Sequence, residues 1–562
     1  MKVLIVGGVA GGAGAAARLR RNDEQAEIIL FEKGAFISFA NCGLPYFIGG
    51  AITDRGQLQL QTPEAFRARF HVDVRVMHEV TGVDSASKTV SVLNHATGET
   101  YTESYDKLIL SPGASPIRPR FPGLEDNHVF TLRNIPDTYA IYDHIEKVGP
   151  KTAAVIGAGF IGLEMAENLA ERGLSVSIVE AAPHVMAPMD LDMAHMVHNR
   201  IRAAGMGLYV GKKCAGFTAN TVQLEDGAAI PADMVILSIG VSPETKFLTG
   251  SGVELGQRGE ILVDEQLHTN VEDIYALGDA AVVRNLVSGR TQVIPLAGPA
   301  NKQARIVADV VCGRYASYKG SIGTSIMKFF DMTVACAGEK EESLKAAGTP
   351  YHKTFTVSAS HAGYYPGGTQ MFVKLLYNDE GTILGAQIVG GEGVDKRIDT
   401  LAVAIRFGLT VYDLEEMELA YAPPFSSAKD PVNMAGFVAE NVLRGVMTPF
   451  YPEDVASIPE DAVRLDVRSP GELEALGTIP GFLNIPVNEL RSRMGELDLT
   501  KPVYVTCQVG LRGHVACRML TQNGAKAYNL SGGYALYSAR AKDLQGLADG
   551  GNKNCTACGQ QV

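Results

Sequence analysis

The chain opens with the stretch Val3-Leu4-Ile5-Val6-Gly7-Gly8-Val9-Ala10-Gly11-Gly12, an apolar run that ends in a glycine-rich turn. An alanine-rich helix follows, and a second apolar run ends at Glu32, 20 residues after Gly12. This is the order of a βαβ unit that binds a dinucleotide, in which the helix N-terminus holds the pyrophosphate and the acid accepts from a ribose hydroxyl. Val9 stands where the motif has its middle glycine. A glycine turn without a ligand is the alternative, and the acid at the required spacing argues against it.

A second, complete copy of this unit follows the strand-like residues 153–156. Its turn contains Gly157, Gly159 and Gly162, and its second strand ends at Glu180. A carboxylate at this place favours an unphosphorylated ribose, which predicts NADH rather than NADPH. Two such units imply two dinucleotides, of which one can be FAD and the other NADH.

Three further stretches fit a chain that passes between two nucleotide-binding domains. Residues 105–113 and 233–240 are apolar strands closed by glycine, at Gly113 in the first case. Residues 269–280 form a strand that delivers Gly278 for close backbone approach and Asp279 for a hydroxyl or a water at the phosphates.

A lone cysteine lies just past the first unit, in Ser38-Phe39-Ala40-Asn41-Cys42-Gly43-Leu44-Pro45-Tyr46. Cys42 is a candidate nucleophile, which must be a thiolate and therefore needs electropositive or hydrogen-bonding surroundings. Position 47 is Phe, where a dithiol flavoenzyme would have its second cysteine, so a small-molecule thiol is the simplest partner. The alternative is an inert buried cysteine.

Size and charge limit the classes of function. A chain of 562 residues predicts three to five domains. With 62 acidic and 50 basic residues, the net charge of −12 argues against nucleic acid and anionic membranes as partners. The N-terminal apolar run is too short for a signal peptide and no apolar stretch reaches 18 residues, so we expect a cytoplasmic protein. The eight cysteines are too dispersed for a disulfide scaffold.

The last part of the chain has a different composition. After a proline-bearing linker, residues 463–468, 479–486 and 503–507 predict a small α/β unit. Its loop Cys507-Gln508-Val509-Gly510-Leu511-Arg512 lies between a strand and a helix, where backbone N–H groups and the charge of Arg512 favour Cys507 as thiolate or persulfide. The alternative is a strand-end cysteine without chemistry. Two tail cysteines, Cys555 and Cys558, cannot fill a zinc site alone; a reversible disulfide or no function is expected, and no metal.

Up to about residue 445 the chain resembles the flavoprotein disulfide reductases of the pyridine nucleotide-disulfide oxidoreductase family. It resembles most the single-cysteine branch with coenzyme A disulfide reductase, NADH oxidase and NADH peroxidase. The motifs are residues 38–43, Gly278-Asp279 and Tyr421-Ala422-Pro423-Pro424-Phe425-Ser426. The resemblance implies a redox cysteine beside the flavin and a homodimer in which Tyr421, with Tyr364 or Tyr365, reaches the partner subunit's site as proton donor.

The C-terminal unit looks like a rhodanese domain. The implied fold class is α/β, with two Rossmann-like dinucleotide-binding domains, an α+β dimerisation domain and an α/β rhodanese domain. The expected boundaries are 1–112 and 241–320 for FAD, 113–240 for NAD, 321–445 for dimerisation, 446–458 for the linker, 459–546 for rhodanese and 547–562 for a flexible tail.

A coenzyme A site is also implied by the resemblance. Coenzyme A is anionic, so its pocket needs local positive charge. Arg18 and Arg21 lie one helical turn apart, which suits phosphate contact, although solvated helix charges are the equal alternative. The implied residues are Gly14, Arg18, Arg21, Ser38, Asn41, Asn301 and Lys429.

The expected function is an NADH-dependent reductase of persulfides or polysulfides, such as coenzyme A persulfide. Cys42 attacks the sulfur substrate and is re-reduced through flavin, while Cys507 handles sulfane sulfur. Three alternatives stay open: coenzyme A disulfide reduction with an independent rhodanese unit, a sulfurtransferase, and an NADH oxidase or peroxidase.

Overall fold

The computed structural model describes residues 1–124 and 128–548. The predicted tail motif of Cys555 and Cys558 lies outside the described residues. Two compact units are present. The first is formed by Met1–Ala181 and Lys212–Ser321, and the second by Ala182–Gly211 together with the described residues from Ile322 onward.

The first unit contains a parallel sheet built around the opening strand Lys2–Val6. Val3, Leu4 and Ile5 have no exposed surface, because a parallel strand is covered on both faces and therefore reads as a continuous apolar run. The helix Ala10–Asn22 follows the glycine turn. The order of strands in this sheet is Ile274–Ala276, Lys107–Leu110, Lys2–Val6, Glu27–Glu32, Asp73–Val76.

The second nucleotide unit repeats this arrangement around the strand Thr152–Ile156, which pairs in parallel with Ser175–Glu180 and Met234–Leu237. Met234–Leu237 in turn pairs with Val129–Phe130. The helix Phe160–Glu171 starts directly after the glycine turn. Both predicted strand–turn–helix–strand units are therefore formed, and the predicted fold class is confirmed.

The remaining elements of the first unit connect and flank these sheets. Short antiparallel sheets are formed by His78–Asp84, Thr89–Asn94 and Thr100–Ser104, by Cys214–Thr218, Thr221–Leu224 and Ala229–Pro231, by Ala114–Pro116 and Val241–Pro243, and by Val283–Arg284 and Thr291–Gln292. The other α-helices are Leu44–Gly49, Pro63–Phe70, Ile135–Val148 and Ala297–Val311. The 3-10 turns are Asn41–Gly43, Arg55–Leu58, Lys246–Leu248 and Gly278–Ala280.

The second unit begins with an antiparallel sheet of the predicted dimerisation domain. Its strand order is Ser325–Phe329, Met332–Gly338, Ile383–Gly390, Gln370–Tyr377, His352–Ala359. Its helices are Glu341–Ala347, Val394–Arg406, Val411–Glu416 and Pro431–Leu443. The same unit takes in the helix Leu191–Ala203 and the strand Gly207–Val210, although residues 182–211 fall inside the predicted NAD domain.

The predicted rhodanese domain lies in this unit and contains a parallel sheet. Its strand order is Thr448–Phe450, Ala527–Leu530, Val503–Thr506, Val463–Asp466, Leu483–Asn484. Its α-helices are Pro470–Leu476, Leu490–Arg493, Leu511–Gln522 and Gly533–Ala548, and its 3-10 turns are Pro452–Ser457 and Met494–Glu496. Part of the predicted linker 446–458 is thus folded into the sheet, because Thr448–Phe450 pairs with Ala527–Leu530.

A buried ionic network joins the start of the helix Leu191–Ala203 to the antiparallel sheet. Lys374 has no exposed surface and its ammonium donates to Asp190 (2.9 Å), Asp192 (2.7 Å) and Glu341. A buried charge is tolerated only when paired, and three carboxylates satisfy the three N–H bonds of this ammonium.

The same helix also holds the last rhodanese helix, Gly533–Ala548, through a group of four side chains that we call the docking cluster: His195, His198, Arg202 and Asp543. The Asp543 carboxylate accepts from Nδ1 of His195 (2.5 Å) and of His198 (2.8 Å) and from Arg202 (2.5 Å). These contacts pair the buried carboxylate with three donors and fix the rhodanese helix on its neighbour.

Candidate functional site

The first glycine turn has the geometry of a dinucleotide cradle. Gly7 has a φ of +96°, and a Cβ on Gly12 would lie 1.8 Å from the Gly7 carbonyl oxygen, so neither position accepts a side chain. The Glu32 carboxylate accepts from the backbone N–H of Gly8 at 2.9 Å and of Gly34 at 2.8 Å. Burial raises the pKa of Glu32, while these two N–H donors oppose the shift. The helix Ala10–Asn22 starts directly after Val9, so the turn forms without the middle glycine.

The second turn is built in the same way. Gly157 has a φ of +99°, and a Cβ on Gly162 would lie 2.0 Å from the Gly157 carbonyl oxygen. A Cβ on Gly159 would meet nothing within 4 Å, which leaves this side of the turn open for a pyrophosphate. The Glu180 carboxylate accepts from the Ala158 N–H at 2.7 Å. Glu32 and Glu180 therefore hold equivalent positions at the ends of the second strands.

Gly113, Gly278 and Asp279 lie with an arginine that sequence reasoning missed. A guanidinium nitrogen of Arg133 is 3.6 Å from the Asp279 carboxylate, and a Cβ on Gly113 would be 2.8 Å from the same nitrogen. Burial raises the pKa of Asp279, and Arg133 opposes the shift. Arg133 stands apart from any motif, so its sequence context gave no signal.

Cys42 is exposed in the 3-10 turn Asn41–Gly43, which leads into the helix Leu44–Gly49. The turn is tied to the first glycine turn, because the Ser38 N–H donates to the Gly8 carbonyl at 2.9 Å. Among the described residues, the buried amide oxygen of Asn41 has no hydrogen-bond partner. A buried acceptor left free beside an exposed thiol fits a donor on a bound ligand.

The protein groups around Cys42 do not match the expected electropositive setting. Burial is the largest cause that raises the pKa of the Cys42 thiol, and the carboxylates of Glu164 and Asp279 raise it further. The electropositive alternative is therefore not met by these side chains, and the hydrogen-bonding alternative stays a prediction. Glu164 and Asp279 are distant in the sequence, so the local motif does not indicate them.

Glu164 is a second residue that sequence reasoning did not single out. It lies on the helix Phe160–Glu171, and the Tyr46 hydroxyl is 3.4 Å from its carboxylate. Burial raises the pKa of Glu164 to about 7, with Glu167 adding to the shift. A carboxyl whose pKa is raised towards neutral pH by burial is a common feature of functional sites.

The residues implied for coenzyme A are only partly brought together. The helices Ala10–Asn22 and Ala297–Val311 pack so closely that a Cβ on Gly14 would be 3.7 Å from the Asn301 amide oxygen. The Arg18 guanidinium pairs with Asp309 at 2.9 and 3.1 Å, so its charge is already offset.

The other two cations proposed for this ligand are exposed. Arg21 lies on the helix Ala10–Asn22 of the first unit, and Lys429 lies in the second unit. Of the two arginines, Arg21 is therefore the one whose charge is available at the surface.

Two of the three predicted tyrosines form a pair. The hydroxyls of Tyr364 and Tyr421 are 2.9 Å apart, and the side chains are 76% and 49% exposed. Tyr421 also lines a cavity of about 470 Å³ together with Lys396 and Phe425. Tyr365 instead lies edge-on against His361, with ring centroids 5.5 Å apart. The pair is thus Tyr364 and Tyr421.

The rhodanese loop encloses Cys507, whose side chain is fully buried. The Gly510 N–H donates to its sulfur at 3.1 Å, and Gly510 has a φ of +96°. The helix Leu511–Gln522 starts at once, so its first N–H groups also point towards the loop. The loop therefore presents backbone donors to the Cys507 sulfur, as in an anion-binding turn.

Arg512 contributes less free charge to this loop than expected. Its guanidinium donates two hydrogen bonds to Glu472, at 2.7 and 2.5 Å. The hydrogen bond from Arg512 is the largest cause that lowers the pKa of Glu472, to about 2. The charge of Arg512 is therefore largely offset next to Cys507.

The docking cluster brings three ligand-type atoms, from His195, His198 and Asp543, within 4.8 Å of one another. Nε2 of His198 accepts from the Val185 N–H at 3.1 Å, so the proton of the neutral imidazole is on Nδ1, which faces Asp543. A protonated nitrogen cannot bind a metal ion. The cluster fits a hydrogen-bonded assembly, not a metal centre.

Comparison with known families gives three matches. Residues 1–304 match the model of pyridine nucleotide-disulphide oxidoreductases, which is more than half of the chain. The chain belongs to the pyridine nucleotide-disulphide oxidoreductase family. Residues 324–431 match the dimerisation domain of the same family, and residues 452–540 match the rhodanese-like domain.

Among the relatives of this family member is the coenzyme A disulfide reductase of Staphylococcus aureus (strain bovine RF122 / ET3-1). It is 40% identical over 441 residues, which are 78% of this chain and 100% of that protein. Two solved structures extend further. The reduced CoADR-RHD of Bacillus anthracis is 48% identical with a TM-score of 0.94, and covers 96% of this chain and 98% of that one. An NAD-dependent persulfide reductase from A. fulgidus is 34% identical with a TM-score of 0.91, and covers 96% and 100%.

Membership of the pyridine nucleotide-disulphide oxidoreductase family makes this chain an oxidoreductase that works with FAD and a pyridine nucleotide. Both glycine turns fit such ligands, since each has an acid at the end of its second strand and glycines at its first and last positions that a Cβ would clash with. Within the described part of the chain, no helix is both long and apolar enough to cross a bilayer.

Proposed function

We propose that this protein is an FAD-dependent reductase that uses NADH to reduce persulfides or polysulfides, with coenzyme A persulfide as the favoured substrate. One observation carries the proposal. A redox-type cysteine turn and a rhodanese loop occur in one chain, and the whole described architecture is shared with a protein named as an NAD-dependent persulfide reductase.

Cys42 is the nucleophile in this proposal. Its thiolate attacks the carbon-bound sulfur of a persulfide R–S–SH, which breaks the S–S bond, releases hydrosulfide and leaves the mixed disulfide Cys42–S–S–R. Reduction by two electrons and one proton then returns the Cys42 thiolate and releases R–SH. FAD and NADH, when bound, supply this electron pair.

Protons for the leaving thiolate come from the tyrosine pair. Tyr421 and Tyr364 are exposed and hydrogen-bonded to each other, so one can donate while the other stabilises the phenolate. We place them in the site of the neighbouring subunit of a homodimer, as Tyr421 of the partner subunit, because the chain carries the family's dimerisation domain.

The coenzyme A moiety is placed against Gly14 and Asn301, next to Ser38 and Asn41 of the cysteine turn. The free acceptor of Asn41 and the close approach at Gly14 support this placement. Arg21 and Lys429 are the exposed cations proposed for its phosphates, whereas Arg18 is engaged by Asp309.

Cys507 loads and passes on sulfane sulfur, supported by the N–H groups of its loop. A cytoplasmic location is part of the proposal, and so are the domain boundaries given above, except at residues 182–211 and 448–450, where the structure groups the chain differently. A plain coenzyme A disulfide reductase is the second candidate, favoured by the relative of that name that is matched over its full length.

Assays of the purified enzyme separate these functions. NADH consumption is measured side by side with coenzyme A persulfide, coenzyme A disulfide, hydrogen peroxide and oxygen, for wild type, Cys42→Ser and Cys507→Ser. We expect the highest kcat/KM with the persulfide, and its loss in Cys42→Ser with flavin retained. A higher kcat/KM with the disulfide would establish the second candidate, and full turnover by Cys42→Ser would end the proposal.

A further inference from the structure

The carboxylate of Glu472 is held in place from two sides. Arg512 donates to both of its oxygens, and the N–H and hydroxyl of Ser469 both donate to Oε2 at 3.0 Å. Ser469 and Glu472 form the capping box of the helix Pro470–Leu476. Because the acid is part of a helix cap, its charge stays next to Arg512 and the Cys507 loop.

A second arginine near the loop is offset in the same way. Arg468 is fully buried and pairs with Asp466 at 2.7 Å, while its guanidinium lies 3.9 Å from the ring centroid of Tyr534. It also reaches the Gln508 amide oxygen, at 3.4 Å. Both arginines at the Cys507 loop are therefore matched by one carboxylate each, and the site carries little net positive charge from them.

Two apolar side chains are exposed on the helix that follows the loop. Leu511 is 60% exposed and Val515 is 41% exposed, and both lie on the helix Leu511–Gln522 that starts from the loop. Residues four apart share one face of a helix, so these two side chains form a small apolar strip. An exposed apolar strip on the helix that leaves the Cys507 loop suits contact with an apolar part of a ligand.

We propose that Glu472 sets the class of sulfur donor for Cys507: an organic persulfide with an uncharged carbon chain, and not a small dianion such as thiosulfate. This inference rests on the proposed function of Cys507 as a sulfur-loading cysteine. Glu472 acts through Arg512 and is a positioning residue, while Leu511 and Val515 receive the carbon chain.

The sulfur transfer conserves atoms and electrons. The Cys507 thiolate attacks the terminal sulfur of R–S–SH; a bond forms between the two sulfurs, the S–S bond of the donor breaks, and R–S⁻ leaves. Cys507 becomes a persulfide, and no external oxidant or reductant is needed. With thiosulfate the same attack expels sulfite, a dianion, beside an Arg512 guanidinium that is already paired with a carboxylate.

The charge of Glu472 acts on such a donor through Arg512. Because the carboxylate pairs with the guanidinium, the attraction that Arg512 would offer to a dianion is largely cancelled. An organic persulfide depends less on this charge, since its chain contacts the apolar strip. Removing the charge of Glu472 should therefore open the site to thiosulfate without a loss of persulfide transfer.

The test uses the full-length holoenzyme without NADH, so that the Cys42 cycle is idle. Sulfur transfer to cyanide is measured as thiocyanate, with thiosulfate and with N-acetylcysteamine persulfide as donors, and mass spectrometry of the Cys507 peptide identifies the loaded cysteine. Glu472→Gln removes the charge but keeps a residue that completes a capping box. Glu474→Gln, at an exposed position of the same helix, is the matched control.

For wild type we expect kcat/KM with the persulfide to exceed that with thiosulfate by about tenfold or more. Glu472→Gln should raise kcat/KM for thiosulfate by about tenfold, mainly through a lower KM, and change persulfide transfer by less than about twofold. Glu474→Gln should behave as wild type. Leu511→Ser should raise KM for the persulfide and leave thiosulfate unchanged.

The outcomes separate this inference from the proposed function. If persulfide loads Cys507 but wild type and Glu472→Gln use thiosulfate equally, the inference falls and the loading role stands. If kcat/KM of wild type with thiosulfate equals that with the persulfide, the inference is also wrong and the loading role stands. If neither donor loads Cys507 in wild type, the loading role falls and the inference with it.

Discussion

Nδ1 of His198 lies 2.8 Å from Oδ2 of Asp543, and both side chains are fully buried. The other imidazole nitrogen accepts from the Val185 N–H, so His198 is neutral and donates to the carboxylate. Asn199 adds a side-chain bond to the Ala539 carbonyl at 2.7 Å. The last rhodanese helix is thereby fixed to the helix Leu191–Ala203 and does not swing free of it.

Asp543→Asn should release this rhodanese helix. The substitution leaves the Arg202 cation without its carboxylate, and breaking a buried pair costs about 3 kcal/mol of local stability. Hydrogen exchange should therefore rise across Gly533–Ala548. Asp331→Asn is the control: Asp331 pairs with Arg200 of the same helix, but is 82% exposed, so we expect a change below about 1 kcal/mol. Equal exchange in the two variants would contradict the role of the cluster.

Acid should weaken the same attachment. Burial lowers the pKa of His198 from 6.5 and outweighs the opposing hydrogen bond from Asp543; His195 and Arg202 lower it further. In the unfolded state His198 binds a proton with a pKa near 6.5, whereas in the folded state its pKa is lower. The local free energy of unfolding therefore falls as the pH drops below about 6.5.

Protonation of Asp543 weakens the attachment only at lower pH. Burial raises the pKa of Asp543, but the hydrogen bonds from His195 and His198 outweigh it, and the pKa lies below the ordinary 3.8. The stabilisation by this carboxylate is therefore complete above about 3.8 and is lost only below it. Hydrogen exchange of Gly533–Ala548, corrected for the intrinsic rate, measures the effect between pH 8 and 5. His198→Asn keeps a donor for Asp543 and should reduce the slope; an unchanged slope would assign it to other groups.

Glu164→Gln should make Cys42 more acidic. The charge of Glu164 is one of the causes that raise the Cys42 pKa, so its removal shifts the thiolate to lower pH. The rate of alkylation of Cys42 by iodoacetamide, measured against pH in NADH-reduced enzyme, reports this shift. Glu171→Gln, at an exposed position of the same helix, should leave the profile in place. A profile in Glu164→Gln that coincides with wild type would show that the two groups are not coupled.

Tyr421→Phe should slow the sulfur half-reaction and spare flavin reduction by NADH. The lost hydroxyl is 2.9 Å from that of Tyr364, and general acid catalysis is worth about 100-fold or more in rate. Stopped-flow measurement of the two half-reactions separates the effects. Tyr365→Phe, whose ring lies on His361, should have the smaller effect. If a dilute monomer keeps full activity, the tyrosine pair does not act in the active site of the partner subunit.

Glu180 should make kcat/KM for NADH exceed that for NADPH, since a 2′-phosphate would meet its carboxylate. Glu180→Gln retains an acceptor for the Ala158 N–H, 2.7 Å away in the wild type, and removes the repulsion. The NADH:NADPH ratio should then narrow by about tenfold. Steady-state kinetics with both nucleotides decide the point, and a wild-type preference for NADPH would overturn the argument.

The sequence by itself determined the parts of this protein that depend on neighbouring residues. Gly7 and Gly157 need a left-handed φ that a side chain would strain, and each is followed at fixed spacing by a helix, a strand and an acid. Backbone conformation at such turns is a local property, so both βαβ units, the Cys42 turn and the Cys507 loop were predicted from short stretches.

Only the tertiary structure decided which distant charges meet. Arg18 finds Asp309, 291 residues away, and Asp543 finds His198, 345 residues away. Glu472 offsets the charge of Arg512, so the positive charge beside Cys507 is weaker than expected. Glu164 raises the pKa of Cys42, whereas positive charge nearby would have lowered it. Many acids could pair with each of these groups, and the packing of helices and strands selects one. Spacing along the chain carries no record of that choice.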